Sequence, residues 1–177
     1  MSQRNVFWRV AVIACGLTLL ASLPASAANC FSVTVTILGT SGADTLVGTS
    51  GVDVMHGGGG NDNISGNGGV DIICGGSGND VIYGGSGNDL INGHPGDDVV
   101  YGQNGHDDAR GEPGEDDLIG SSGNDTLNGD EDDDYLDGGS GTDWLVGAED
   151  IDVCVNGETV ITCNEGQSGG PRPPFLP

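Results

Sequence analysis

The chain has 177 residues, of which 35 are Gly, and it carries 27 Asp and Glu against 4 Lys and Arg, for a formal charge of −23. This charge argues against nucleic-acid binding, because phosphates need Lys and Arg, and against adhesion to an anionic membrane surface. Only 5% of the residues are aromatic. A chain with so little core material is either disordered or held together by cations, and the spacing of its Gly and Asp residues distinguishes the two.

The first segment has the features of a secretory signal peptide. Arg4 and Arg9 precede an apolar run over residues 10–23, and residues 24–28 read PASAA. A basic start, an apolar stretch and an A-x-A site favour cleavage after Ala27, with the next bond as the alternative. A membrane anchor is the weaker interpretation, because the 14-residue run is shorter than the ~20 residues that span a bilayer.

Removal of residues 1–27 leaves a mature chain, 28–177, with a formal charge of −25 and four Cys. An even number of Cys suits an oxidising compartment, so we expect a secreted, extracellular protein with no membrane span in its mature chain. Lipid attachment at Cys15 is a further alternative, although it would cut the apolar run in half.

Residues 39–155 repeat with a period of nine, thirteen times, without insertion or deletion. Position one is always Gly, position eight is apolar throughout, and position four is Gly except at Asp132 and Asp150. Position six is always Asp, namely Asp44, Asp53, Asp62, Asp71, Asp80, Asp89, Asp98, Asp107, Asp116, Asp125, Asp134, Asp143 and Asp152.

Each position has a physical role. Gly at positions one and four predicts positive φ and inward-turned carbonyls, and Asp supplies the anionic oxygen that Ca²⁺ binds together with backbone carbonyls. Positions seven to nine predict a short strand whose middle side chain points inward. Two units then make one turn of a flattened coil, and alternate strands stack in parallel about 4.8 Å apart as two facing sheets.

The unit Gly75-Gly76-Ser77-Gly78-Asn79-Asp80-Val81-Ile82-Tyr83 and the next unit, residues 84–92, fit one pattern at every defined position. They resemble the RTX (repeats-in-toxin) hemolysin-type calcium-binding nonapeptides, G-G-x-G-x-D-x-U-x with U apolar. The resemblance implies an all-β fold, a parallel β-roll or two-sheet solenoid of thirteen nonapeptide repeats. It also implies Ca²⁺ between loops two units apart on one edge, and thirteen such loops offer at most about 11 sites.

The ligands that the resemblance implies are sixth-position carboxylates and main-chain carbonyls of both loops. The candidate carboxylates are the sixth-position residues from Asp44 to Asp143, and the candidate carbonyl donors are Gly57, Gly75, Gly84, Gly93 and Gly102. Position two is often not Gly, which is tolerable where that residue contributes only backbone. The family's catalytic or pore-forming domain and its C-terminal export signal have no counterpart in this sequence, so we expect export by the general secretory route.

Calcium is expected to be required for folding. The apolar positions make a thin core, and without metal the Asp side chains of one edge would stack about 5 Å apart and repel one another. Eleven Ca²⁺ would nearly cancel the charge of the mature chain. The sequence therefore predicts a chain that is disordered without calcium and folds as a rod with it.

The repeats are flanked by predicted caps. Residues 28–38 form an N-terminal capping strand, because residues 30–37 alternate apolar and polar, residues 39–155 form the roll, residues 156–167 a C-terminal cap and residues 168–177 a disordered tail. Cys154 and Cys163 are nine residues apart and so share the inward phase. Four Cys allow three pairings, of which Cys154–Cys163 with Cys30–Cys74 is preferred.

Two outer faces carry apolar side chains at positions seven and nine. One face is expected to hold Val81, Tyr83, Val99, Tyr101 and Ile119, and the other Val54, Ile72 and Leu90. These residues either reflect β-propensity alone or form a contact patch for a surface polymer, a matrix polymer or another copy of the chain. The three His lie at different repeat positions and are expected to be solvated surface residues.

The sequence favours a secreted calcium-binding protein with a structural, adhesive or surface-interaction role. An enzyme is disfavoured, since neither an H-E-x-x-H nor a G-x-S-x-G motif is present. Ice binding by a repeat rod is an alternative, suggested by the fifth-position Asn61, Asn79, Asn88 and Asn124, although no Thr row occurs at position three. A non-catalytic remnant or accessory of an RTX enzyme or toxin is the least favoured alternative.

Overall fold

A computed structural model describes residues 29–148, 150–161 and 163. The predicted signal peptide and tail, and part of the predicted C-terminal cap, lie outside these residues. Within the described part of the chain there is no helix long and apolar enough to cross a membrane.

The fold consists of two parallel sheets built from alternate repeats. The strands are β1 (Asn29–Cys30), β2 (Val33–Thr34), β3 (Ile37–Leu38), β4 (Thr45–Val47), β5 (Val54–Gly59), β6 (Asn63–Ser65), β7 (Ile72–Ser77), β8 (Val81–Ser86), β9 (Leu90–Asn92), β10 (Val99–Asn104), β11 (Asp108–Pro113), β12 (Asp117–Ser122), β13 (Thr126–Glu131), β14 (Tyr135–Asp137), β15 (Trp144–Ala148), β16 (Val153–Val155) and β17 (Thr159–Ile161). The seven-stranded sheet has the order β16-β14-β12-β10-β8-β6-β4 and the eight-stranded sheet the order β17-β15-β13-β11-β9-β7-β5-β3. Paired residues in neighbouring strands of one sheet are 18 positions apart, as Val81, Val99 and Asp117 are in β8, β10 and β12. The predicted parallel β-roll is confirmed.

The core is a single row of eighth-position side chains between the two sheets. From Met55 to Leu145 these residues are almost completely buried, and Leu46 and Cys154 at the two ends pack against them while partly exposed. Each strand contributes one inward side chain, because its neighbours at positions seven and nine point outward. The core is therefore long and narrow, and each repeat contributes one side chain to it.

The loops turn at positions two and four. In all eleven units from residue 57 onward both positions have positive φ, and the non-Gly residues there include His94 at 70° and Asp132 at 77°. No first-position Gly has a positive φ. The prediction that Gly at position one supplies a left-handed turn is therefore wrong, and a different constraint must require Gly there.

Within the segment predicted as a capping strand, residues 28–38, the described residues 29–38 fold as a hairpin followed by a strand. β1 and β2 pair antiparallel around Phe31 and Ser32, whose φ values are 48° and 64°, and β3 joins the eight-stranded sheet beside β5. The hairpin covers the outer face of that sheet, where Cys30 packs with Val54 and forms a disulfide with Cys74. Part of the expected second apolar face is thus covered by the chain itself.

The other end of the roll carries the second disulfide. Cys154 in β16 is bonded to Cys163, and β17 pairs in parallel with β15. The segment after the last repeat therefore continues the eight-stranded sheet by one more strand.

Candidate metal centre

The sixth-position Asp residues form two ladders, one along each edge of the roll. Each lies directly before a strand, and all except Asp44 are buried. The Oδ1 atom of each Asp from Asp62 to Asp152 accepts the backbone N–H of the Asp 18 residues earlier, at 2.7–3.1 Å. One carboxylate oxygen in every rung is thus used to hold neighbouring loops together.

One of the two ladders, the one that contains Asp143, ends with a different acidic residue. Asp143 has no Asp 18 residues later, because position 161 is Ile. Its backbone N–H instead donates to Glu158 Oε2 at 2.6 Å. Glu158 was not predicted as a functional residue, and its place outside the nine-residue period gave no signal for this role.

The second carboxylate oxygen has no partner in most of these residues. Among the described residues, nothing donates a hydrogen bond to the buried Oδ2 atom of Asp62, Asp71, Asp80, Asp89, Asp98, Asp107, Asp116, Asp125, Asp134, Asp143 or Asp152. Burying a charged oxygen without a partner is costly. Eleven such oxygens at one repeat position therefore indicate a place where a cation binds.

Each unpartnered oxygen faces a small space that we call the cradle. A Cβ added to Gly84 would lie 2.7 Å from Asp89 Oδ2 and 2.8 Å from Gly102 O. The same kind of carboxylate and carbonyl oxygens face each first-position Gly from Gly57 to Gly120. Gly is required at position one because any side chain would fill the cradle.

The structure brings four of the five predicted carbonyl donors to these cradles. The carbonyl oxygens of Gly75, Gly84, Gly93 and Gly102 each lie beside the first-position Gly 18 residues earlier, whereas that of Gly57 lies beside Gly39, whose unit has a hydrogen-bonded Asp44 Oδ2. No group of three or more His, Cys, Asp or Glu side chains gathers on one point in the described residues. The cradle therefore offers hard oxygen ligands of mixed origin, one carboxylate with main-chain carbonyls, as Ca²⁺ prefers.

Two predicted ligands differ from the others. The Oδ2 atoms of Asp44 and Asp53 accept hydrogen bonds from Thr40 and Thr49, respectively. Asp152, which was outside the candidate set, has an unpartnered Oδ2 like the ten residues before it.

A second hydrogen-bond ladder at position five was missed. Asn88 Oδ1 accepts the backbone N–H of His106 at 2.9 Å, His106 Nδ1 accepts that of Asn124 at 2.7 Å, and Asn124 Oδ1 accepts that of Thr142 at 3.0 Å. Asn79 and Asp97 make similar bonds on the other edge. The recurrence of Asn at position five was the signal for it. His106 is exposed, as predicted, and its Nδ1 atom and backbone N–H are also part of this ladder.

The electrostatics of the Asp ladders disfavour charged carboxylates in the absence of metal. Burial, reinforced by neighbouring carboxylates, raises the pKa of Asp98 to about 8 and that of Asp116 to about 9. The hydrogen bond from the preceding Asp backbone opposes this rise but does not cancel it. A bound cation would reverse the balance by favouring the charged form.

Comparison with known proteins agrees with this geometry. The family model described as RTX calcium-binding nonapeptide repeat matches residues 38–73, 75–109 and 110–152, which is more than half of the chain. The chain belongs to this RTX repeat family. A search of curated proteins found no match. RTX repeats bind Ca²⁺, so calcium is the cofactor of this protein, and the cradles are the part of the roll whose donor set fits it.

The cradle can be tested with a single methyl group. Gly84→Ala would place its Cβ against Asp89 Oδ2 and Gly102 O, so we expect it to weaken calcium binding and to lower the free energy of unfolding by about 1–3 kcal/mol. Gly42→Ala is the matched control, because a Cβ there meets no atom within 4 Å. Calorimetric calcium titration and chemical denaturation measure both effects. Equal behaviour of the two variants would contradict the role assigned to the cradle.

The raised pKa values predict an unusual pH dependence. A folded-state pKa of about 8 or 9 at Asp98 and Asp116, above the ordinary 3.8, stabilises the metal-free fold fully below about pH 4. That contribution is lost as the pH rises through the folded-state values. Calcium binding should strengthen over the same range, because the carboxylates must lose their protons. Far-UV circular dichroism of metal-free protein should show strand content falling with rising pH, and a rise would contradict the argument.

Proposed function

We propose that this calcium-binding repeat protein is a secreted structural rod whose folding depends on calcium. The observation that carries the proposal is the set of eleven buried Asp Oδ2 atoms, in two ladders, that have no hydrogen-bond partner among the described residues. A fold that buries so many unpartnered oxygens would be unstable if it were complete without metal. Bound calcium would supply positive charge at both edges of the roll, and the buried oxygens would become its ligands.

The residues that would hold the metal have separate tasks. The Asp carboxylates provide charge through Oδ2 and fix the loop spacing through Oδ1. The first-position Gly residues provide space, and their carbonyls provide neutral oxygens. Each loop thus depends on its neighbour 18 residues away, which favours cooperative assembly of the whole roll.

Two features support an extracellular location. The disulfides Cys30–Cys74 and Cys154–Cys163 suit an oxidising compartment. Calcium is abundant outside cells, where a calcium-dependent fold would be maintained. The signal-peptide features of residues 1–27 agree with this location, and the protein would fold only after export.

A structural role is favoured over catalysis. The paired carboxylates that an acid–base mechanism would need, such as Asp107 with Asp108, point to different environments, since Asp107 is buried on the edge and Asp108 begins β11 with its side chain half-buried. Burial of the sixth-position residues in the ladders leaves them unavailable to a substrate.

A calcium titration tests the proposal. At a pH above the raised Asp98 and Asp116 pKa values of about 8 and 9, residues 28–177 without calcium should give a coil-like far-UV circular dichroism spectrum. Calcium should convert it cooperatively to a β spectrum as calorimetry records the binding of several ions. Magnesium at equal concentration is the control, because its smaller, strictly octahedral shell fits carbonyl-rich sites poorly. The same strand content in EGTA as in calcium would refute calcium-dependent folding.

A contact patch on the seven-stranded sheet is a second candidate for how the rod acts. Tyr83 and Tyr101 stack with ring centroids 5.1 Å apart and an interplanar angle of 6°. Val81, Val99 and Ile119 lie beside them on the same outer face, all half-buried. Since the opposite sheet is partly covered by the N-terminal hairpin, this face is the better candidate for self-association or for binding a surface polymer.

The patch is tested by removing its aromatic rings. Tyr83→Ser with Tyr101→Ser should weaken self-association by roughly tenfold, because the two stacked rings are the largest side chains of the patch and aromatic side chains dominate interface energetics. Asn63→Ser, on the exposed end of the same face, is the control. Sedimentation velocity in calcium measures the effect. Unchanged association of the double variant would remove this candidate.

A further inference from the structure

We propose that the loops of the first two repeats, residues 39–44 and 48–53, hold no calcium, and that Thr40 and Thr49 close them with hydrogen bonds in place of metal. The inference rests on the proposed function, since it assigns where the calcium-binding part of the roll begins. In the nine-residue pattern Asp44 and Asp53 are equivalent to the other sixth-position residues. The inference gives these two a different role.

The hydrogen bonds of these loops are the first observation. Thr40 donates to Asp44 Oδ2 from its backbone N–H at 2.6 Å and from its hydroxyl at 2.8 Å. Thr49 donates to Asp53 Oδ2 from the same two groups at 2.6 and 2.9 Å. The oxygen that is unpartnered in the eleven later repeats therefore has two donors in each of the first two.

The backbone of these loops is the second, independent observation. All eleven later units have positive φ at positions two and four, whereas Thr40, Gly42, Thr49 and Gly51 do not. A β-branched residue disfavours the left-handed region, so Thr at position two selects a different loop. In that loop the Thr hydroxyls accept the N–H groups of Gly42 and Gly51 at 3.2 and 3.1 Å.

The cradles of these two units are also altered. A Cβ added to Gly39 or Gly48 would lie 3.0 Å from the Oδ2 atom of its own unit's Asp, and this oxygen is closer in all eleven later units. The carboxylates of Asp44 and Asp53 are thus displaced from the cradle toward Thr. Both units read G-T-S-G-x-D, and no other unit has Thr at position two.

These observations make the first turn of the roll self-sufficient. The Oδ2 atoms of its two carboxylates have local donors. The cradles of Gly39 and Gly48, which face the next turn, therefore need no cation. It still accepts the next turn, because the N–H groups of Asp44 and Asp53 donate to Asp62 and Asp71. The first turn is therefore a protein-made end from which the metal-bound part of the roll continues.

Removal of carboxylate charge tests where calcium binds. The number of calcium ions per chain, measured by mass spectrometry after equilibrium dialysis, should be the same in wild type and in Asp44→Asn with Asp53→Asn. The matched pair, Asp80→Asn with Asp89→Asn, should bind fewer ions. An equal loss in both pairs would overturn the inference.

Crystals of the wild type provide a test that needs no substitution. Long-wavelength anomalous scattering from crystals grown in calcium should give peaks beside Gly57 and later first-position Gly residues and none beside Gly39 or Gly48. Peaks at all of these positions would overturn the inference. Peaks at none of them would instead refute the proposed function.

The role of the hydroxyls is tested by Thr40→Val with Thr49→Val, which keeps the β-branched shape. It should lower the Tm by a few degrees and leave the number of bound ions unchanged. Thr45→Val is the control, because Thr45 is exposed in the same repeat. An unchanged Tm in the double variant would overturn the assignment of these hydroxyls, whether or not the protein binds calcium.

Discussion

The 18-residue register between parallel strands is the constraint on which the rest of the structure depends. Because every turn has the same length, residues at one repeat position lie above one another along the whole roll. A favourable contact is then multiplied into a ladder, and an unfavourable one into a column of like charge. The sixth-position Asp belongs to both cases, since one oxygen accepts a backbone N–H and the other is buried without a partner.

The sequence predicted the fold and most candidate ligands because a period without insertions determines which residues stack. It did not reveal why Gly occupies position one. A left-handed turn and a lack of space both require Gly. The first-position Gly residues do not have positive φ, and Asp89 Oδ2 and Gly102 O leave no room for a side chain at Gly84, so the second explanation holds. At position two the residue type is misleading in the opposite way. This position is often not Gly, yet His94 there adopts the positive φ that Gly would favour.

The nine-residue period does not predict the structure of the segments outside the repeats, such as the N-terminal hairpin. Alternation over residues 30–37 predicted one strand, but the left-handed residues Phe31 and Ser32 reverse the chain, and the hairpin covers a sheet face rather than the end of the core. The ladder at position five follows a similar rule. Asn, Asp and His can each accept a backbone N–H from a neighbouring turn, so the chemistry repeats where the residue identity does not.

The direction of the Asp ladder explains why the two ends of the roll are closed by different residues. Each Asp accepts from the turn before it and donates to the turn after it. The Oδ1 atoms of the first turn have no earlier turn to accept from, and the carboxylates there are bonded through their other oxygen, Oδ2, by Thr40 and Thr49. The last turn has an N–H without a carboxylate, and Glu158 supplies an acceptor to Asp143. A ladder with a direction leaves carboxylates without a preceding turn at one end and an N–H without a following turn at the other. In this chain the residues that bond these groups, Thr40 and Thr49 at the start and Glu158 at the end, all depart from the repeat consensus.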